Sequence, residues 1–255
     1  MSIAEKLQTI AENEQKVYEA GYAKGKSEGG GGGDSYYDVF WDNYQLNGSR
    51  TSYSYAFYTS GWNDTTFKPK YNIVAKSADY MFQNSKITNL KEILANKGVT
   101  LDVSQCTQPY GIFYYTAITH IPEINLENAT KINNMFYGSK NLVSVDKLIL
   151  SSGTNEKTVQ ATNAFVDCTE LENIIIEGII NTGTFDFRYS QKLNYESIKS
   201  IINALSTTTS GYAVTLSKTA VDTAFETSSG ANDGSTSAEW LALIATKTNW
   251  TISLS

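Results

Sequence analysis

Phe136-Tyr137-Gly138-Ser139-Lys140-Asn141-Leu142 and Phe165-Val166-Asp167-Cys168-Thr169-Glu170-Leu171 are the same phrase in different letters. Each has an aromatic ring, two variable residues, a small hydroxyl or thiol residue, a polar spacer and a leucine. The order recurs in Phe82-Gln83-Asn84-Ser85-Lys86-Ile87, in Phe113-Tyr114-Tyr115-Thr116-Ala117-Ile118 and in Phe187-Arg188-Tyr189-Ser190-Gln191-Lys192-Leu193. Met81, Met135 and Ala164 precede three of the rings. The phenylalanines are 31, 23, 29 and 22 residues apart, so a unit of 22–23 residues carries loop insertions after the first and third copies.

Each part of the phrase has a physical role. The ring plugs the interior at a corner. The small residue suits a tight turn and can bond local backbone groups. The aliphatic residue returns to the core, and alternation continues in Leu142-Val143-Ser144-Val145 and from Leu171 to Ile176. One unit alone exposes its apolar side, so units must stack. The expected fold is α+β: a leucine-rich-repeat-like β-solenoid over 78–193, a helical C-terminal cap over 194–255, and an N-terminal coiled-coil-like helix ahead of both.

The flanks follow from periodicity and punctuation. Residues 1–28 read as a helix, with Ser2 and Glu5 placed as a capping box. Ile3, Leu7, Ile10 and Val17, with Glu14 between, form a seam at alternating spacings of four and three. That seam predicts either self-association, as a dimer or trimer, or anchoring on another protein. Residues 29–35 begin with five glycines, Gly29 to Gly33, and read as a linker. Residues 36–77 are crowded with aromatics, including Tyr36, Phe40, Trp41, Tyr53, Phe57 and Trp62. They read as an N-terminal cap or as a sugar-binding surface, with a strand at Ser52 to Tyr58 and a turn at Trp62 to Asp64. Beyond the repeats, Asn194 to Leu205 has the spacing of an amphipathic helix. Helices are also predicted for Lys218 to Phe225 behind Ser217 and Ala238 to Thr246 behind Ser237, with a closing strand at Trp250 to Leu254.

Chemistry-bearing patterns are missing. The chain has 255 residues, 18% of them charged, and a net charge of −6. No cluster of Lys and Arg is present to displace counterions from phosphates, so nucleic acid is not an expected partner. No run approaches the ~20 apolar residues of a membrane span, and residues 1–28 lack the apolar core of a signal peptide. Cys106 and Cys168 are expected as free, buried residues, since Cys168 stands where other units have Ser or Thr; a disulfide needs the fold to bring them together. The single histidine, His120, reads as structural, and one His with two separated Cys does not make an ordinary zinc site. Phosphate-binding glycine patterns and nucleophile elbows are absent. Asp102, Glu123, Asp146, Asp167 and Asp186 are scattered acids. No catalytic residue, cofactor or metal is expected.

The repeat frame yields one candidate surface. The two residues after each ring are variable, and they include Tyr114, Tyr115, Tyr137, Arg188 and Tyr189. Facing solvent, these five align as a ligand-binding stripe, because a tyrosine combines an apolar ring with a hydrogen-bonding tip. Alternatively, some of the rings pack between units.

The units Met135 to Leu142 and Ala164 to Leu171 resemble BspA-type leucine-rich repeats, a family of bacterial surfaces and phage tail-associated proteins that serves adhesion. The opening from Ser2 to Lys26, the stretch Trp62 to Tyr71 and the ending from Glu239 to Leu254 resemble tail or baseplate proteins from phages and prophages of gut Firmicutes. The resemblance implies a structural, non-enzymatic component of a phage tail (tip, baseplate or fibre) that binds a host-surface receptor. It implies location on the virion, other tail or baseplate proteins as partners, and a host cell-surface glycan or protein as ligand. A bacterial cell-surface adhesin and a glycan-degrading tail enzyme are the alternatives.

Overall fold

The computed structural model describes residues 51–58, 61–151, 159–181 and 183–255. The predicted helix with Ile3, Leu7, Ile10 and Val17, the glycine linker and the aromatics before residue 51 lie outside the described residues.

What repeats is a ribbon of overlapping turns around each phenylalanine. In the third unit Met135, Tyr137 and Ser139 donate their N–H groups three residues back, to Ile132, Asn134 and Phe136. In the units of Phe82, Phe113, Phe136 and Phe165 two residues take the left-handed conformation, one two positions before the ring and one two positions after it. Asn134 (φ 56°) and Gly138 (φ 71°) hold these places around Phe136, and Asn163 (φ 57°) and Asp167 (φ 62°) hold them around Phe165. The reversals keep the ring pointing inward and leave alternate N–H groups pointing along the stack. Those N–H groups bond the next unit. Phe82 N donates to Ile112 O, Phe113 N to Met135 O and Phe136 N to Ala164 O, each at 2.8 Å. In the units of Phe136 and Phe165 the small residue bonds backwards instead: Ser139 Oγ donates to Phe113 O (2.5 Å) and Cys168 Sγ to Phe136 O (3.2 Å). It therefore ties neighbouring units together rather than bonding its own turn.

The rings form one buried column. Phe57, Phe82, Phe113, Phe136, Phe165 and Phe187 follow one another at centroid steps of 5.0, 5.4, 5.3, 5.1 and 4.7 Å. Each is 0–1% exposed. Such steps match the spacing of hydrogen-bonded parallel strands, so ring and backbone keep one pitch. Burial of each ring stabilises by roughly 1.5–3 kcal/mol, and ring pairs add about 0.5–1.5 kcal/mol. Phe57 belongs to the series, although its segment reads as a cap: Phe57-Tyr58-Thr59-Ser60 fits the phrase, with Trp62 in place of the aliphatic residue. Ser52 to Tyr58 is accordingly a bridge at Ser52 followed by turns, not a strand.

The expected continuous β-solenoid is not what the chain forms. Among the described residues the strands lie in three separate small parallel sheets. The first pairs β1 (Ile73–Val74) with β2 (Leu101–Asp102). In the second, β3 (His120–Ile121) and β4 (Ile124–Asn125) pair with the start and end of β5 (Ser144–Ile149), and β6 (Asn173–Glu177) pairs along β5 with a break between Val145 and Leu148. The third runs β7 (Thr184–Phe187), β8 (Tyr212–Leu216), β9 (Trp250–Leu254). Unequal units prevent one sheet from running through: a helix, α1 (Leu90–Lys97), occupies the extra length between Phe82 and Phe113. The α+β part of the expectation stands, and the solenoid part is replaced by turns linking small sheets.

Three helices follow near their predicted places: α2 (Tyr195–Ala204), α3 (Lys218–Ala224) and α4 (Ala238–Ala245). Asn194, Ser217 and Ser237 cap them by accepting from Ser197, Ala220 and Trp240 N–H groups. Ile198, Ile201 and Ile202 of α2 are buried. Cys106 and Cys168 are free and buried. His120 bonds the Thr119 hydroxyl at 2.9 Å.

Candidate functional site: a row of tyrosines

The outer edge of the turn ribbon is lined with phenol rings. Tyr114 and Tyr137 follow successive phenylalanines, so the ribbon carries them in step, and they stack at 5.3 Å with planes 15° apart. Tyr115 packs edge-on to Tyr114 (4.8 Å) and lies 5.5 Å from Tyr137. The row continues towards the N-terminal end of the ribbon. Tyr80 meets Tyr114 at 5.8 Å and Tyr110 at 5.2 Å, and Tyr55 stacks on Tyr80 at 5.3 Å and meets Tyr58 at 6.0 Å.

Glycines make room for two of these rings. Gly138 stands in the left-handed place that Tyr115 holds one unit earlier, and a Cβ there would come within 2.5 Å of the Tyr115 ring. Gly111 stands in the place Tyr80 holds, and a Cβ there would come within 2.8 Å of the Tyr80 ring. Each tyrosine thus lies flat on the bare backbone of the following unit.

The row is neutral and stays so. Burial, then the charge of Asp79, pushes the Tyr55 phenol up to about 12. Burial, with Tyr110 close by, raises Tyr80, and burial with Tyr137 nearby raises Tyr114. Tyr137 is raised mainly by its neighbour Tyr115. Asn134 Nδ2 donates to the Tyr110 hydroxyl. Against an ordinary phenol value of about 10, these groups keep their protons at physiological pH. The carboxylates acting on them are Asp79 at Tyr55 and Asp167 at Tyr137.

Of the five predicted stripe residues, the structure brings Tyr114, Tyr115 and Tyr137 together. Tyr189 is 47% exposed and close enough to Tyr137 to act on it electrostatically, but no ring contact joins them among the described residues. Arg188 does not join the row: it is exposed and its Nε pairs with Asp186 two residues earlier at 2.9 Å. Tyr80 and Tyr110 are not reached from the positions after each phenylalanine, and Tyr55 stands in the sequence only among the aromatics of 36–77. Tyr55 and Tyr80 both stand two residues before a ring, so their shared offset was the available signal.

Elsewhere, an open depression of about 430 Å³ lies between β6 and α2, with Ile175, Glu196, Lys199 and Asn203 on its walls. Among the described residues no group of three or more His, Cys, Asp or Glu is placed to hold a metal ion, and no helix is long and apolar enough to cross a membrane. No protein-family model, curated protein or solved structure matches the chain.

Proposed function

We propose that the chain is a non-enzymatic binding component of a phage tail, and that the tyrosine row is the face it turns to the host cell. One observation carries the binding part of this reading. Tyr55, Tyr80 and Tyr115 adopt φ of 57°, 52° and 53°. Bulky residues are rare there and strained by about 1–3 kcal/mol. Equivalent places in other units are filled by Gly111, Asn134, Gly138 and Asn163, which tolerate that conformation readily. The fold therefore does not need tyrosine at these positions. Tyr115 is 44% exposed and Tyr80 half-buried, whereas Tyr55 is buried; rings kept at a conformational cost where they reach the surface are what a binding surface retains. The tail assignment draws its support from the resemblance of Ser2 to Lys26 and of Glu239 to Leu254 to tail and baseplate proteins.

The test replaces strained tyrosines by the residue other units use. Tyr80→Asn/Tyr115→Asn should leave Tm within about 4 °C of the parent, because relieved strain offsets lost ring contacts. Binding of the labelled full-length chain to intact cells of gut Firmicutes should fall at least about tenfold, the loss of one or two good contacts. Undiminished binding by a well-folded double variant would remove the row from the function.

A further inference from the structure

We infer that the ligand of the row is a neutral, extended polysaccharide lying along the stack of units. The inference rests on the row being the binding face, and adds the chemistry of what it binds.

Three features point there. First, the row is hydroxyl-rich and its ring faces are largely used up. Tyr55 stacks on Tyr80 at 24° and Tyr114 on Tyr137 at 15°, so these pairs cover one another's faces. What remains for a ligand is a line of ring edges and phenol oxygens. Each phenol both donates and accepts. Two neighbouring phenol pairs, Tyr80 with Tyr110 at 5.2 Å and Tyr115 with Tyr137 at 5.5 Å between ring centroids, both make ring contact with Tyr114. A polymer covered in hydroxyl groups answers that pattern group for group.

Second, the row has a pitch. Its ring-to-ring steps from Tyr55 to Tyr80, Tyr114 and Tyr137 are 5.3, 5.8 and 5.3 Å. That is close to the length of one sugar residue in an extended β-linked chain. An extended peptide rises about 3.3 Å per residue and presents alternate residues to one side, so it falls out of step within a few residues. The row crosses successive units without a break, which favours a chain over a compact ligand.

Third, the charge is wrong for an anion. The carboxylates of Asp79 and Asp167 act on the row, and the nearby cation Arg188 is held by Asp186. A phosphate- or uronate-bearing polymer would meet those negative charges, whereas a neutral glycan is indifferent to them.

Native gels cast with a soluble polymer test this directly. Hydroxyethyl cellulose, glucomannan and glycol chitin are the neutral, extended probes, and polygalacturonate is the anionic one. The full chain should be retarded by at least one neutral polymer and not by polygalacturonate. A hexasaccharide of the retarding polymer should compete and its disaccharide should not. Tyr114→Phe/Tyr115→Phe/Tyr137→Phe keeps the ring packing, so it should fold, and should lose about tenfold or more in affinity through its missing hydroxyls. Retardation by no neutral polymer, equal retardation by polygalacturonate, or full retardation of the Phe variant would overturn the inference. If cell binding depends on Tyr80 and Tyr115 while no neutral polymer retards the chain, the glycan inference falls and the binding face stands. If cell binding ignores those tyrosines, the binding face itself falls.

Discussion

Tyr115 and Gly138 illustrate how much of this surface depends on single residues. The glycine is favoured twice over: its φ of 71° is strained for a residue with a β-carbon, and the Tyr115 ring occupies the space that carbon would take. Gly98 provides the control, with a φ of 63° and open space around it. Gly98→Ala should cost about 1 kcal/mol in a denaturant titration, the left-handed penalty alone. Gly138→Ala should cost more than that and also displace Tyr115, read as a shifted tyrosine signal in near-ultraviolet circular dichroism. Equal costs at the two sites would mean that the ring moves aside freely. Asp79 gives a pH prediction. Burial raises its carboxyl above the ordinary range, partly opposed by the bond it accepts from Tyr110 N–H at 3.0 Å. A raised acid stabilises the fold below its unfolded pKa of about 3.9, and that contribution is lost as pH rises through the folded value. At neutral pH the charge is therefore a burden. Asp79→Asn retains an acceptor for Tyr110 and should raise Tm at pH 7, with the gain shrinking as pH falls below the carboxylate range. A gain that persists unchanged in acid would point to a different cause. None of these places is marked by letters alone: left-handed sites are held here by Tyr, Gly, Asn and Asp, so the shared conformation unites residues that no pattern search would group.

At the level of elements, the best-read parts were those governed by local rules. The helices α2, α3 and α4 begin at capping residues visible in the chain, and β9 spans the predicted residues. The eight-residue helix α1 leaves little trace in the sequence because only Leu90 and Leu94 are buried, with Ile93 at the edge of the core, which is about one turn of periodicity. Some terminations depend on distant residues and were not legible at all. Lys247, 7% exposed, follows α4 in the chain yet serves α2, where its Nζ donates to Asn203 O (3.1 Å) and Leu205 O (2.5 Å) at the C-terminal end. There a cation also meets the negative end of the helix dipole. Lys247→Met retains most of the packing volume but leaves those carbonyls without their donor, and should cost about 1–3 kcal/mol in a denaturant titration. A neutral outcome would show that water replaces the ammonium group.

For the whole molecule, the phenylalanine phrase predicted stacking, and the rings do stack in one column. It misjudged what lies between them, because it says nothing about how the inserted lengths are used. Among the described residues, a helix in the inserted gap after Phe82 and, in the uninserted gap after Phe113, two short strands sharing β5 divide the strands among three sheets. The tyrosine row survives that division because it belongs to the turns, which are continuous where the sheets are not.

The direction of the hydrogen bonds between turns has a mechanical consequence. From Phe57 to Phe136 the backbone N–H groups reach forward to the following unit, so the bonds lie along the stack. A pull along that axis loads them end-on, one interface after another, and the ribbon opens as a zip does. A pull across the axis loads every interface at once and meets far greater resistance. How such a protein is tethered therefore governs whether it yields gradually under tension or holds until it fails as a whole.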